Sequence, residues 1–152
     1  MTVFDAATIE RLAEAIHENY VARFAPDGPA WSQLSPDLQE ANRAQARAIP
    51  RKLAAIGASI VPGPAEPFTF TPSEVERLAI AEHRRWMAQR RLAGWRYAAV
   101  RDDRRRHHPM LVKWEKLPEQ EREKDRDVVR NIPEVLARVG LAVVRGRRSP
   151  GA

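Results

Sequence analysis

The sequence predicts a mainly α fold: two helix-loop-helix repeats packed about a pseudo-twofold axis, with short β-strands at the repeat ends. Three observations predict it. Ile9-Glu10-Arg11-Leu12-Ala13-Glu14-Ala15-Ile16-His17 returns as Val75-Glu76-Arg77-Leu78-Ala79-Ile80-Ala81-Glu82-His83, a shift of 66. A second set (Trp31, Leu34, Glu40, Arg43, Ile49-Pro50, Leu53-Ala54, Gly57) returns as Trp114, Leu117, Glu123, Arg126, Ile132-Pro133, Leu136-Ala137 and Gly140, a shift of 83. The apolar residues of both copies also follow helical spacing. A single helix pair of this length leaves its apolar face wet, and two copies can cover each other. The difference between the shifts, 17, is one insertion in the second copy, between Trp86 and Trp114. The expected organisation is a first repeat over residues 1–61, a Pro-rich linker over 62–71, a second repeat over 72–144 and a disordered tail over 145–152.

Each element has its own signal. Ile9, Leu12, Ala13, Ile16 and Tyr20 mark the apolar stripe of a first helix. Ser35-Pro36 starts a second helix, with a counterpart near Pro118, and each is expected to break at Ile49-Pro50 or Ile132-Pro133, because proline lacks the donor a helix interior needs. The closing turns end at Gly57 and Gly140 as left-handed caps. Ser59-Ile60-Val61 and Ala142-Val143-Val144 are too short for helices and can pair as strands. The second repeat opens with Thr71 as N-cap, Pro72 at N1 and Glu74 at N3, a capping box with Phe70 and Val75 placed as its staple. That helix is predicted over about Pro72 to Leu92.

Composition narrows the function. The chain has no cysteine, which excludes disulfides and thiolate metal sites and fits a reducing compartment. No apolar run approaches the ~20 residues that span a bilayer, and no secretory leader follows Met1. The expectation is a cytoplasmic chain without membrane insertion. Charge is uneven: residues 1–67 carry net −2 and residues 68–152 net +8, mostly as arginine. A field of that sign attracts anions.

The insertion holds the residues with chemistry. His83, Trp86 and Arg90 share one helix face. Trp95 and Tyr97 have no counterpart in the first copy, and Asp102 and His108 lie within the inserted segment, closed by Trp114. Rings can stack on a base, guanidinium groups can grip phosphate oxygens, and a carboxylate can accept from ribose hydroxyls. For Trp86 and Trp114, with counterparts in Tyr20 and Trp31, core packing is the favoured reading, whereas Trp95 and Tyr97 suit packing and recognition alike. Glu82 falls on the inner stripe where the first copy has Ile16, and a slight helix rotation is expected to bring it to the edge. The Asp125-Arg126 pair, with Asn42-Arg43 in the first copy, is expected to be a structural network or an exposed ion pair. No phosphate-binding loop, dinucleotide fingerprint, zinc-helix motif or nucleophile elbow is present, so no enzyme activity, cofactor or metal is expected.

The run His83-x-x-Trp86, Gly94-Trp95-x-Tyr97, Asp102, His108-Pro109, Leu117 and Glu123-Lys124-Asp125-Arg126 resembles the ryanodine-receptor repeat, or RyR domain, in its bacterial form, with a degenerate first copy lacking the loop. Ala98 stands where the family usually has glycine after the tyrosine, and His107 where threonine usually precedes His-Pro. The resemblance implies a non-enzymatic module of paired helices and short strands, linked to nucleotide binding and to channel or effector partners. The expected function is sensing of a small anionic ligand in a pocket of aromatic and arginine residues between the repeats. An adenine nucleotide, ADP-ribose or a cyclic derivative fits that chemistry. The alternative is a regulatory module docking an acidic protein partner. Nucleic acid ranks third, because arginines interleaved with acidic residues make a poor phosphate-tracking stripe.

Overall fold

The structure, a computed structural model, describes residues 3–146. It is mainly helical with short strands. In chain order the elements are α1 (Ala6–Phe24), α2 (Pro36–Ala55), β1 (Ala58–Pro62), α3 (Pro72–Leu92), β2 (Arg96–Tyr97), β3 (His107–His108), α4 (Glu119–Arg130), α5 (Ile132–Ala137) and β4 (Leu141–Arg145), with 3-10 turns at Trp31–Gln33 and Trp114–Lys116. The residues gather into two compact units. One holds the chain up to Thr69 together with the residues from Asn131, and the other is Phe70–Arg130.

In the first unit α1 packs on α2, and α5 and β4 complete the body. Asp5 caps α1 by accepting from the Thr8 N–H at 2.8 Å, and hydrogen bonding from the Thr8 side chain first, then from that N–H, holds its carboxyl below the usual range. Leu12, Ala13 and Ile16 are buried as the spacing predicts. Tyr20 departs from that stripe: it is 46% exposed and packs its ring on Phe24 at 5.4 Å.

α2 starts at the predicted Ser35 cap, whose hydroxyl accepts from the Leu38 N–H. The break expected at Pro50 is absent, and the helix runs through it to Ala55. One helical hydrogen bond is lost there, yet Ala46, Ile49 and Leu53 on both sides of the proline are buried, and that shared apolar face holds the two turns in line. At Ile132-Pro133 the expected break is present, with Asn131 at φ −90° and ψ 0° between α4 and α5.

Gly57 and Gly140 both occupy the left-handed region, at φ 71° and 77°, and end their helices as the sequence predicts. β1 and β4 pair antiparallel, with Ser59 opposite Val144, Ile60 opposite Val143 and Val61 opposite Ala142. Ile60 and Val143 differ by 83 residues, so this ladder pairs repeat-equivalent positions at its centre. Its two flanks match as well. The Gly146 N–H donates to the Gly57 carbonyl at 2.7 Å, and the Gly63 N–H donates to the Gly140 carbonyl at 2.9 Å. Arg145, assigned to the tail by the sequence reading, is instead the last residue of β4, and its guanidinium stacks on Phe68 and donates to the Thr69 carbonyl. The rest of that tail, 147–152, lies outside the described residues.

In the second unit α3 packs on α4. The capping box is as predicted: Thr71 accepts from the Glu74 N–H, and the Glu74 carboxylate accepts from the Thr71 N–H. The insertion carries a two-residue parallel pairing of β2 with β3, which no sequence signal announces. No described helix is long and apolar enough to cross a membrane.

Candidate functional site

All eight residues singled out in the sequence lie in the second unit. Six form one chain of stacked groups. His83, on the buried side of α3, donates from Nε2 to the Val112 carbonyl at 2.7 Å. A carbonyl can only accept, so the proton is on Nε2, and Nδ1 faces Asp125 at 4.0 Å. The His83 ring stacks on Trp86 at 5.8 Å and tilts against Trp114 at 6.2 Å.

From Trp86 the chain passes into the insertion. The His108 ring meets Trp86 edge-on at 4.9 Å and tilts against Trp95 at 6.0 Å. The Arg90 guanidinium lies over both indoles, 5.8 Å from Trp86 and 5.2 Å from Trp95. His108 Nδ1 accepts from the Met110 N–H at 3.1 Å, which fixes its proton on Nε2. Burial first, and then the charges of Arg101 and Arg90, hold this imidazole below its ordinary pKa against the pull of Asp103 and Glu121. His108 is therefore a neutral ring with one donor, set among cations.

The opposite end is an ionic clamp. Trp114 is buried, and its Nε1–H donates to Glu76 Oε1 at 3.2 Å. The Arg126 guanidinium lies over the Trp114 ring at 5.7 Å and binds Glu76 in a fork, at 2.7 Å and 3.3 Å. It also pairs with Glu119 and Glu123. The hydrogen bonds from Arg126 hold the Glu76 carboxyl below the usual range, and the same bonds raise the Arg126 pKa.

Two of the eight stand apart. Tyr97 is 58% exposed on β2, outside the ring chain. Asp102 serves its own loop: its side chain accepts from the Arg105 N–H at 3.2 Å, and its backbone bridges to His107. Glu82 stays buried, contrary to the expected rotation to the edge. Arg85 grips it in a fork at 2.5–3.1 Å, so a paired charge on the inner stripe is tolerated without rotating the helix.

The loop's fixing residues were missed in the sequence. Arg106, the one described non-glycine residue with positive φ, at 59°, donates from its guanidinium to the Ala93 carbonyl, and its own carbonyl accepts from the Arg96 N–H at 2.8 Å. It ties the end of α3 to the inserted segment. Asp103, held ionised by its hydrogen bonds from Arg101 at 2.8 Å and 3.4 Å, was missed too. The Arg126 network was expected, but not that its main partner is Glu76. That signal was available, because Glu10 and Arg43 recur at the two shifts and meet each other at 2.7 Å in the first unit.

The first unit repeats the clamp without the extension. His17 Nε2 lies 2.6 Å from the Pro29 carbonyl, its ring tilts on Trp31 at 6.3 Å, and Arg43 lies over Trp31 at 5.8 Å while forking onto Glu10. Among the described residues no cluster of three or more histidine and acidic side chains suited to a metal is present.

The class of structure is therefore a helix pair whose connecting loop is locked by a histidine–tryptophan–arginine chain. Residues 71–145 match the family model of the RyR domain. The match opens at the Thr71 cap of α3, takes in the whole ring chain and closes at the last residue of β4.

Proposed function

We propose that the segment 71–145 is an RyR-type, non-enzymatic module that binds a small anionic ligand, a nucleotide or a nucleotide-derived messenger, at the Trp86–Arg90–Trp95–His108 cluster. One observation carries this reading. The Arg90 guanidinium lies over two indoles that also hold the His108 imidazole, and the charges of Arg101 and Arg90 both act on that ring. A pre-oriented guanidinium loses little entropy on forking onto a phosphate, and Nε2–H of His108 is a further donor in the same cluster. The two indole faces turned to Arg90 are occupied, so the ligand is engaged first through its anionic group, with Trp95 and Tyr97 as neighbouring aromatic surface.

The recurring clamp supports a tandem origin with a degenerate first copy, and the register of β1 on β4 supports a pseudo-twofold relation at those strands. A chain without cysteine is in keeping with a reducing, cytoplasmic setting.

Calorimetry and thermal shift against ATP, ADP-ribose and cyclic nucleotides test the reading. At least one is expected to bind, and Arg90→Gln and Trp95→Ala are expected to weaken it about tenfold or more. No binding by any of them, or binding indifferent to both substitutions, refutes it.

A further inference from the structure

The chain's positive charge is concentrated on one short stretch that the ring chain does not use up. Residues 84–106 contain nine arginines against Asp102 and Asp103, net +7, while the whole chain is net +6. Everything outside that stretch is therefore close to neutral, at −1. Several of these arginines have internal duties: Arg85 holds Glu82, Arg90 lies between the indoles, Arg101 holds Asp103, Arg105 pairs with Asp102 and Arg106 caps α3. Arg84, Arg96 and Arg104 are exposed and make no ion pair among the described residues.

The same stretch carries large apolar side chains in water. Leu92 is 91% exposed and Val100 76%, and Tyr97 on β2 is exposed as well. Arg84, Ala88, Arg91 and Leu92 are all exposed and share one face of α3 by their helical spacing. The turn at Gly94, with the Trp95 N–H bonded back to the Arg90 carbonyl at 2.9 Å, leads the chain from the end of α3 straight into β2, where Arg96 and Tyr97 are also exposed. Scattered apolar residues on a surface need no explanation, but three bracketed by uncompensated guanidinium groups on one short segment form a mixed patch.

We propose that the outer face of α3 and the β2 loop form a docking surface for an acidic protein segment bearing aliphatic or aromatic anchors. The guanidinium groups steer and orient the carboxylates, and Leu92, Tyr97 and Val100 take the anchors. Charge complementarity chooses this occupant over a neutral peptide. The aliphatic side chains and the interleaved Asp102 and Asp103 choose it over nucleic acid, since neither adds to phosphate contacts and both carboxylates oppose them. The proposal does not rest on the ligand reading: of these side chains Tyr97 alone adjoins the Trp86–Arg90–Trp95–His108 cluster, and the variants that test the docking surface leave Tyr97 in place.

The test is selection of a displayed random-peptide library on the full chain, followed by affinity measurement of the enriched peptides. Enrichment in Asp or Glu combined with Leu, Ile or Phe is expected. Affinity should fall about tenfold or more in Leu92→Ser/Val100→Ser and, separately, in Arg96→Glu/Arg104→Glu. All four residues are exposed, so circular dichroism and Tm should match the parent. The two pairs report independently should either variant misfold. Poly-glutamate binding as tightly as the selected peptides, a single-stranded oligonucleotide displacing them more strongly than poly-glutamate, or indifference to both variant pairs overturns the proposal. Nucleotide thermal shifts unchanged in these variants would keep its outcome separate from that of the ligand site.

Discussion

Replacing Arg126 by methionine should destabilise the protein by about 1–2 kcal/mol, a figure built from two contacts. The first is the fork onto Glu76, at 2.7 Å and 3.3 Å, which ties α4 to α3. The Arg126 side chain is 16% exposed but that of Glu76 is 42% exposed, so solvent screening limits this pair to about 0.5–1 kcal/mol. The second is the guanidinium over Trp114 at 5.7 Å, about 0.5–1 kcal/mol. Methionine keeps most of the apolar stem, so little packing is lost. The bond from Trp114 Nε1–H to Glu76 remains. For a chain of this length the loss corresponds to a fall in Tm of about 2–8 °C. Urea unfolding followed by circular dichroism, with calorimetry alongside, measures it, and about 1 M salt should shrink the ionic half and spare the ring contact. Arg130→Met is the control, because Arg130 binds Glu123 only at the surface. A change below about 0.5 kcal/mol, or an equal loss in the Arg130 variant, refutes the view that Arg126 joins the helices.

Two further expectations follow from local geometry. His108 has a pKa lowered from 6.5, chiefly by burial, so as pH falls below 6.5 the unfolded chain binds its proton first and stability declines. His108→Asn, which keeps an acceptor for the Met110 N–H, should flatten the decline in stability below pH 6.5, and an unchanged pH slope would show that His108 is not the titrating group. Gly57→Ala and Gly140→Ala add a Cβ that meets nothing within 4 Å, so only backbone strain at φ 71° and 77° counts. Each should cost about 1–2 kcal/mol by chemical denaturation, with the two agreeing within about 0.5 kcal/mol, and a marked inequality would break their equivalence as caps.

What the sequence made legible was local. Thr71, Pro72 and Glu74 fix the start of α3 through contacts three residues apart, and the helix spans the predicted range. Gly57 and Gly140 needed only their own backbone preference, and β1 and β4 are bounded by them. Illegible features depend on distant partners. The helix survives Pro50 because Ala46, Ile49 and Leu53 are covered, which periodicity around the proline does not report. β2 and β3 are two residues each, held by a loop whose turn is set by an arginine at positive φ. Within the candidate site, His83, Trp86 and Arg90 were legible from helical spacing. Tyr97 and Asp102 were grouped with them by residue type, by their place in the inserted segment and by the family motif, but Tyr97 lies exposed on β2 and Asp102 bonds within its own loop.

The two units share one clamp geometry, and only the second carries the candidate site beyond it. Through the clamp they agree to within a few tenths of an ångström: a histidine Nε2 against a carbonyl at 2.6 Å or 2.7 Å, a tryptophan 6.3 Å or 6.2 Å away, and an arginine over that tryptophan at 5.8 Å or 5.7 Å. They part three residues later on the same helix face. Positions 20 and 24 are tyrosine and phenylalanine and stack on each other, which leaves Tyr20 half in water. The positions related by the 66-residue shift, 86 and 90, are tryptophan and arginine. A cation beside an indole on an exposed helix face is weakly held, about 0.5–1 kcal/mol, and strengthens when a second ring excludes water from its other side. The insertion supplies that second ring as Trp95 and a neutral spacer as His108. The segment between α3 and Trp114 thus gives Arg90 a second indole contact that α3 alone does not supply.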